Sequence, residues 1–208
     1  MALLLSLVLA VLALAPSVAS ADPPPKPRSA TEELRRSFDE IMTMVQSPSF
    51  RAMDETRRRE AVRKVADRVF NWSEMAKRAL GSQWSQRSTA ERRTFADWFA
   101  SVAERAYSGS VAHLTSRRMS SDAIKFLGES RSGSDTIVST ALTSPRELPI
   151  DFVMTKRGAR WEVCDVRVDG VSAADNYRAQ FARVMSTASF PALVERMNAK
   201  TASGAASP

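Results

Sequence analysis

The chain has 208 residues, a formal net charge of +7, one histidine and one cysteine. Its length suits one domain, or one domain with a small appendage. A single cysteine, Cys164, excludes an intrachain disulfide, and a single histidine, His113, excludes a histidine-rich metal site. The basic balance would favour nucleic-acid binding in a cytosolic protein, but the N-terminus argues for export.

The N-terminal segment resembles an export signal. Residues 2–15 are almost wholly apolar, and Ala19-Ser20-Ala21 has the small-x-small form of a signal-peptidase site. No Lys or Arg precedes the apolar run, so an uncleaved anchor is the alternative, although the run is short for a membrane span. We expect residues 1–21 to be a signal peptide, 22–30 a disordered proline-rich tether, 31–200 a single domain and 201–208 a disordered tail.

Helical spacing of apolar residues predicts four helices before residue 108. The first runs from Thr31, and Asp54 opens the second. Ser73 is the expected cap of a short third helix that ends at Gly81, and Ser88 with Glu91 forms a capping box for a longer fourth helix. His113 is expected in a polar loop beyond it. We expect this histidine to be solvated, although histidine is also the commonest general base.

The outer face of the second helix is strongly basic. No aromatic residues suited to base stacking lie between its cations, which argues against nucleic-acid binding. The face could steer the protein toward anionic lipid headgroups or an acidic protein surface, and a solvated helix face is the alternative. The candidate contacts to a partner or headgroup are Arg57, Arg58, Arg63 and Lys64.

After Tyr107 the apolar period changes from helical to alternating, which predicts about four strands with short connections. Such connections favour an antiparallel meander. Two further helices follow, one after Ser172 and one from about Phe190 to Lys200. The predicted fold class is α+β, a curved antiparallel sheet with helices packed on its concave face.

The last strand is joined to the next helix by a sharp turn. Gly170 supplies the turn, and Ser172 is the expected N-cap. Asp165 lies in an otherwise apolar strand and needs a partner if it is buried. Arg178 and the backbone amides near Ser172 are the candidate partners, and we expect a structural rather than a catalytic role for all four residues.

This joint closely resembles the MlaC, or toluene-tolerance, family. The resemblance extends upstream and covers most of the mature chain. It implies a periplasmic phospholipid carrier that holds acyl chains in an apolar cavity between sheet and helices, with no cofactor and no chemistry performed. The residues that carry it are Trp161 through Asp165, Asp169-Gly170-Val171-Ser172, Asn176-Tyr177-Arg178, Gln180-Phe181, Val69-Phe70, Met75-Ala76, Ala79-Leu80-Gly81, Trp84, Phe95, Phe99 and Tyr107.

The resemblance also implies partners: an outer-membrane lipoprotein–porin complex and an inner-membrane ABC-transporter complex, between which a monomeric carrier maintains outer-membrane lipid asymmetry. The family more often has an aromatic residue at Cys164, so this position is less filled here. Aromatic residues of the helices are expected to face those of the sheet. The candidate lipid-binding residues are Val69, Trp72, Met75, Trp84, Phe95, Phe99, Val102, Tyr107, Phe126, Val138, Leu142, Phe152, Met154, Trp161, Val163, Tyr177 and Phe181.

Three alternatives remain open from the residues themselves. The same apolar residues could form an ordinary solid core, in which case the protein would be a lipid-free adaptor that docks through its basic helix. The cargo could be another amphiphile, such as a hopanoid. A hydrolase or isomerase is disfavoured, because the sequence has no nucleophile elbow, P-loop or glycine-rich dinucleotide turn.

Overall fold

The computed structural model describes residues 28–116, 124–143 and 147–202, with backbone alone for 103–116 and 200–202. The expected signal peptide, residues 22–27 of the tether and the tail from residue 203 lie outside the described residues. The helices are α1 (Ala30–Gln46), α2 (Pro48–Ala52), α3 (Glu55–Val69), α4 (Trp72–Leu80), α5 (Thr89–Ser116), α6 (Ala173–Met185) and α7 (Phe190–Ala202), with a 3-10 helix at Gly81–Gln86. The strands are β1 (Ile124–Ser132), β2 (Asp135–Leu142), β3 (Leu148–Arg157), β4 (Arg160–Val168) and β5 (Val171–Ser172).

Side-chain caps begin most of these helices. The Asp54 carboxylate accepts a hydrogen bond from the Arg57 amide, and Ser88 and Glu91 form the reciprocal bonds of a capping box. Helix α4 begins earlier than expected, because its N-cap is Asn71 rather than Ser73. Helix α5 is longer than expected and contains His113 in its backbone, so this histidine does not lie in a loop.

The five strands form one antiparallel sheet in the order β1-β2-β3-β4-β5. The α+β class and the antiparallel meander are therefore confirmed, and β5 is a two-residue strand that the sequence pattern did not indicate. Asp169 and Gly170 make the tight connection between β4 and β5, both with positive φ (52° and 78°). Gly170 suits such a backbone because it has no Cβ.

The helices contact both faces of the sheet rather than one concave face. Val138, Phe152 and Met154 share one face by strand register, and Leu34 of α1 packs against them. Val153 and Asp165 pair with each other on the opposite face, where the Asp165 carboxylate accepts a hydrogen bond from the Ala174 amide of α6. We call these the α1 face and the α6 face.

The chain passes from one face to the other at the edge of β4. Phe70 pairs with Val163 in a parallel bridge, and the Asn71 amide donates to the Val163 carbonyl over 2.8 Å. The Asn71 side chain also donates to Glu162 over 2.7 Å. This crossing protects part of an otherwise open strand edge and puts α3 and α4 on opposite sides of the sheet.

Candidate functional site

The apolar residues predicted to bind lipid divide into two separately packed clusters. The sheet cluster has Val138, Phe152, Met154 and Val163 buried against α1, with Val69, Phe126 and Trp161 at its margin. The helical cluster has Met75, Phe95, Phe99, Val102 and Phe181 buried between α4, α5, α6 and α7, with Trp72, Trp84 and Tyr177 at its margin.

The sequence predicted that the aromatic residues of the helices face those of the sheet. They do not, because the two groups lie in different clusters. Phe95 and Phe181 contact each other edge-on, with ring centroids 5.4 Å apart. Phe152 instead contacts Phe38 of α1, at 5.6 Å between centroids. Phe70, at the crossing, packs against both clusters. Leu142 is half-buried and is not among the members of either cluster, and the side chain of Tyr107 lies outside the described residues.

Between the two clusters lies the α6 face, which the sequence analysis did not single out. Ala141, Val153 and Cys164 are buried there at 1%, 2% and 0% exposure. Among the described residues, these three belong to neither apolar cluster. Strand alternation alone could have found Val153, because it separates the inward-facing Phe152 and Met154. These three buried side chains are smaller than Phe152 and Met154, which are buried on the α1 face.

Cys164 occupies a β-bulge opposite Val153 and Met154. Its thiol donates a hydrogen bond to the Val153 carbonyl over 3.3 Å. Burial raises the pKa of this thiol to about 12, although Arg78 opposes the shift. A thiol with so high a pKa is unreactive at neutral pH, which agrees with the expected role as a small buried side chain.

Asp165 is the polar centre of the joint between β4 and α6. One carboxylate oxygen accepts from the Ser172 hydroxyl over 2.6 Å, and the other accepts from the Ala174 amide over 3.0 Å. Ser172 in turn caps α6 by accepting from the Asp175 amide. Arg178, one of the expected partners of Asp165, pairs with Asp175 instead and donates to the Arg78 carbonyl.

A second polar connection joins α4 to the sheet. The Arg78 guanidinium donates to the Asp135 carboxylate over 2.8 Å, and the side chains are 25% and 16% exposed. Burial lowers the pKa of Arg78, but the hydrogen bond to Asp135 and the nearby anionic groups outweigh it and raise that pKa. Arg78 therefore stays charged at neutral pH.

The basic residues of α3 are largely engaged by neighbours. Arg57 pairs with Asp54 and Arg63 with Asp67, while Arg58 donates to the Arg51 carbonyl. Lys64 is exposed. The two ion pairs offset part of the positive charge expected from the sequence, so this face is a weaker anion-binding surface than its composition indicates.

One surface groove runs along α1 and is open to solvent. It is lined by Arg36, Asp39, Glu40, Thr43 and Met44, which are mostly charged or polar, so it does not resemble a site for acyl chains. Among the residues whose placement is described, no three His, Cys, Asp or Glu side chains lie close enough to hold a metal ion. No helix in these ranges is both long and apolar enough to cross a bilayer.

Comparison with known proteins identifies the family. The family model described as MlaC protein matches residues 35–199. The chain belongs to the MlaC family. The family resemblance inferred from the sequence is confirmed.

A solved structure has a similar fold. It is a phospholipid-binding protein from Ralstonia solanacearum in complex with a phospholipid, 19% identical, with a TM-score of 0.71. The alignment covers 86% of this chain and 99% of that one. At this identity the likeness shows the fold alone. No curated protein sequence matches the chain. Membership of the MlaC family indicates a binding or transport protein.

Proposed function

We propose that this protein carries phospholipid through the periplasm, between the outer and the inner membrane, and that it performs no chemistry. The observation that carries the proposal is membership of the MlaC family, together with a similar fold that binds a phospholipid. The partners that follow from this role are an outer-membrane lipoprotein–porin complex and an inner-membrane ABC-transporter complex. The protein would reach the periplasm through the signal peptide at residues 1–21.

The energetics of such a carrier require an enclosed apolar site. Burying one methylene is worth about 0.8 kcal/mol, so two acyl chains with about twelve buried methylenes each gain on the order of 20 kcal/mol relative to water. A free lipid would therefore not cross an aqueous space unaided. When a lipid moves from a membrane to a dry protein site, the free energy of leaving the one apolar environment nearly cancels the free energy of entering the other. Loading and unloading then need only partners that lower the barrier.

The α6 face is the place we propose for the acyl chains. Its small buried side chains, Val153 and Cys164 among them, lie outside both packed clusters, and the helical cluster lies across from them. The predicted contacts of the helical cluster, such as Phe99 and Val102, would then line the other wall. The predicted contacts on the α1 face, such as Phe152, would be core residues that support the sheet.

A matched pair of substitutions tests this placement. Val153→Phe and Val138→Phe enlarge two valines that are 2% and 0% exposed, on opposite faces of neighbouring strands. Overpacking a filled core costs about 1–3 kcal/mol, so Val138→Phe should lower the free energy of unfolding by that amount. Val153→Phe should lower it as well, because Val153 is also buried, but it alone should reduce the lipid that copurifies, because its ring would take up space in the proposed cargo site.

Native mass spectrometry of the mature protein, followed by organic extraction, measures that lipid. Added mass that extracts as phospholipid supports the carrier, and an extracted hopanoid identifies the other cargo. A wild-type protein that carries no extractable amphiphile would contradict the carrier in favour of a lipid-free adaptor. An equal loss of copurifying lipid in both variants would contradict the placement of the acyl chains on the α6 face.

A further inference from the structure

The helical cluster meets the sheet through polar contacts. Every buried member of that cluster comes from α4, α5, α6 or α7, and none of its described members is a strand residue. Three hydrogen bonds join these helices to the sheet, from Asn71 to Glu162, from Ala174 to Asp165 and from Arg78 to Asp135. Small buried side chains of the α6 face, such as Val153 and Cys164, lie in the same interface. Hydrogen bonds exchange for water at a small net cost, so they are the contacts that a separation of the two layers at this seam would lose most easily.

The three contacts differ in their relation to the chain. Asn71 lies at the crossing itself, and Asp165 lies just before the hairpin that leads into α6. If the helices tilted, the backbone bridge between Phe70 and Val163 would still hold the first contact, and the short hairpin would hold the second. Arg78 and Asp135 are 57 residues apart, and their elements have no short connection. This pair is the contact that a tilt of the helices would break first.

The Arg78 side chain is also held in a way that allows release. Its terminal nitrogen donates to Asp135, but its Nε is buried without a hydrogen bond and lies 3.5 Å from a Glu74 carboxylate oxygen. Glu74 belongs to the same helix as Arg78. An arginine that leaves Asp135 therefore has a second carboxylate within reach on its own helix, which lowers the cost of breaking the contact.

Cys164 and Asp135 lie on the same face of the sheet by strand register. The charges of Arg78 and Asp135 are near enough to the Cys164 thiol to act on it. The thiol is fully buried in the closed protein. We expect a separation of the helices from this face to expose it, so that its reaction with a thiol reagent would report the opening.

We propose that the Arg78–Asp135 ion pair is a latch: it holds the layer of helices α4 to α7 closed on the α6 face, and its release opens the seam through which acyl chains enter and leave. The passage of acyl chains through the seam rests on the proposed function, whereas the opening of the latch is independent of it.

Thiol labelling of the lipid-free protein tests the opening. Asp135→Ala should raise the rate at which iodoacetamide modifies Cys164 by about tenfold, the effect expected when one charge-assisted hydrogen bond is lost. The rate should depend weakly on urea, because a local opening exposes little surface compared with global unfolding. The control is Arg59→Ala, which removes an exposed ion pair with Glu55 on α3. This control should leave the rate unchanged.

The charge-swapped variant Arg78→Asp with Asp135→Arg separates a latch from a general loss of stability. It should return the labelling rate toward that of the wild type. Asp135→Asn, which keeps a hydrogen-bond acceptor, should fall between the wild type and Asp135→Ala. If labelling in all variants follows the global free energy of unfolding, with the urea dependence of full unfolding, the latch is wrong.

Lipid exchange tests the second part. Phosphatidylglycerol vesicles with a fluorescent phospholipid are mixed with wild type and with Asp135→Ala, and the transfer rate to acceptor vesicles is measured. Faster transfer by Asp135→Ala supports the latch as the entry control. Transfer that is equal in both, with faster thiol labelling in the variant, contradicts entry through this seam. No transfer by either protein contradicts the proposed function, and the labelling result still decides the latch.

Discussion

Phe152 and Val153 are neighbours in one strand, yet they lie in different surroundings. Phe152 packs against Phe38 and Val138 in the sheet cluster, under α1. Val153 lies on the α6 face, buried among small side chains and polar contacts. The α1 face is thus covered by large apolar side chains, whereas the α6 face combines smaller buried side chains with hydrogen bonds to the helices. This difference is the reason we propose that the α6 face is the one that opens.

The largest loss of stability is expected on substitution of Asp165, at the polar joint of the α6 face. Asp165→Ala leaves the Ser172 hydroxyl and the Ala174 amide without their carboxylate acceptor. Hydrogen bonds to a charged group are worth about 1.5–3 kcal/mol each, so we expect a loss of about 3–4 kcal/mol in the free energy of unfolding. Urea unfolding measures it. Arg178→Ala is the control, because Arg178 does not contact Asp165, and a loss as large in that variant would contradict the assignment.

A double-mutant cycle tests whether the two apolar clusters are separate. Leu34→Ala in the sheet cluster should cost about 3 kcal/mol, and Phe181→Leu in the helical cluster about 1–2 kcal/mol. Their effects should add to within about 0.5 kcal/mol, because the residues share no apolar cluster. Phe95→Leu with Phe181→Leu is the contrasting cycle, since these rings touch. Coupling above about 1 kcal/mol between Leu34 and Phe181 would show that the clusters act as one core.

The buried thiol of the α6 face predicts a dependence on alkaline pH. The pKa of Cys164 is raised to about 12 in the folded protein, whereas an unfolded thiol titrates near its ordinary value of about 8.5. The unfolded state therefore loses its proton first, and stability should fall as the pH rises from about 8.5 toward 12. Comparing urea unfolding of the wild type with that of Cys164→Ala across this range measures the effect. An equal slope in both proteins would contradict it.

The smallest losses of stability are expected from substitutions at two similar helix caps, one on each side of the sheet. Ser29 with Glu32 caps α1, and Ser88 with Glu91 caps α5. Ser29→Ala and Ser88→Ala should each cost about 1 kcal/mol. Hydrogen bonds from Ser88 lower the pKa of Glu91, so its contribution is present above its usual pKa and is lost as the pH falls through the lowered value. Melting temperatures at pH 7 and at pH 3 measure both.

Much of the local structure could be predicted from the sequence. The N-caps at Asp54, Ser88 and Ser172 are confirmed, as is the left-handed glycine that ends α4, Gly81 with φ of 57°. These features depend on residues three or four positions apart, so the pattern contains all the partners. The cap of α4 was misplaced because Asn71 and Ser73 are both good capping residues, and the choice is made by the pairing of Asn71 with β4.

The sequence by itself determined where most of the helices and the four longer strands lie, and which side chains of a strand share a face. Local hydrogen bonds and the alternation of apolar residues settle these features. The tertiary structure alone decided which helices cover which face, because the crossing at Phe70 and Asn71 depends on contacts with Val163 and Glu162, about ninety residues away in the chain. That crossing separates the helical aromatics from those of the α1 face, and no periodicity in the sequence records it.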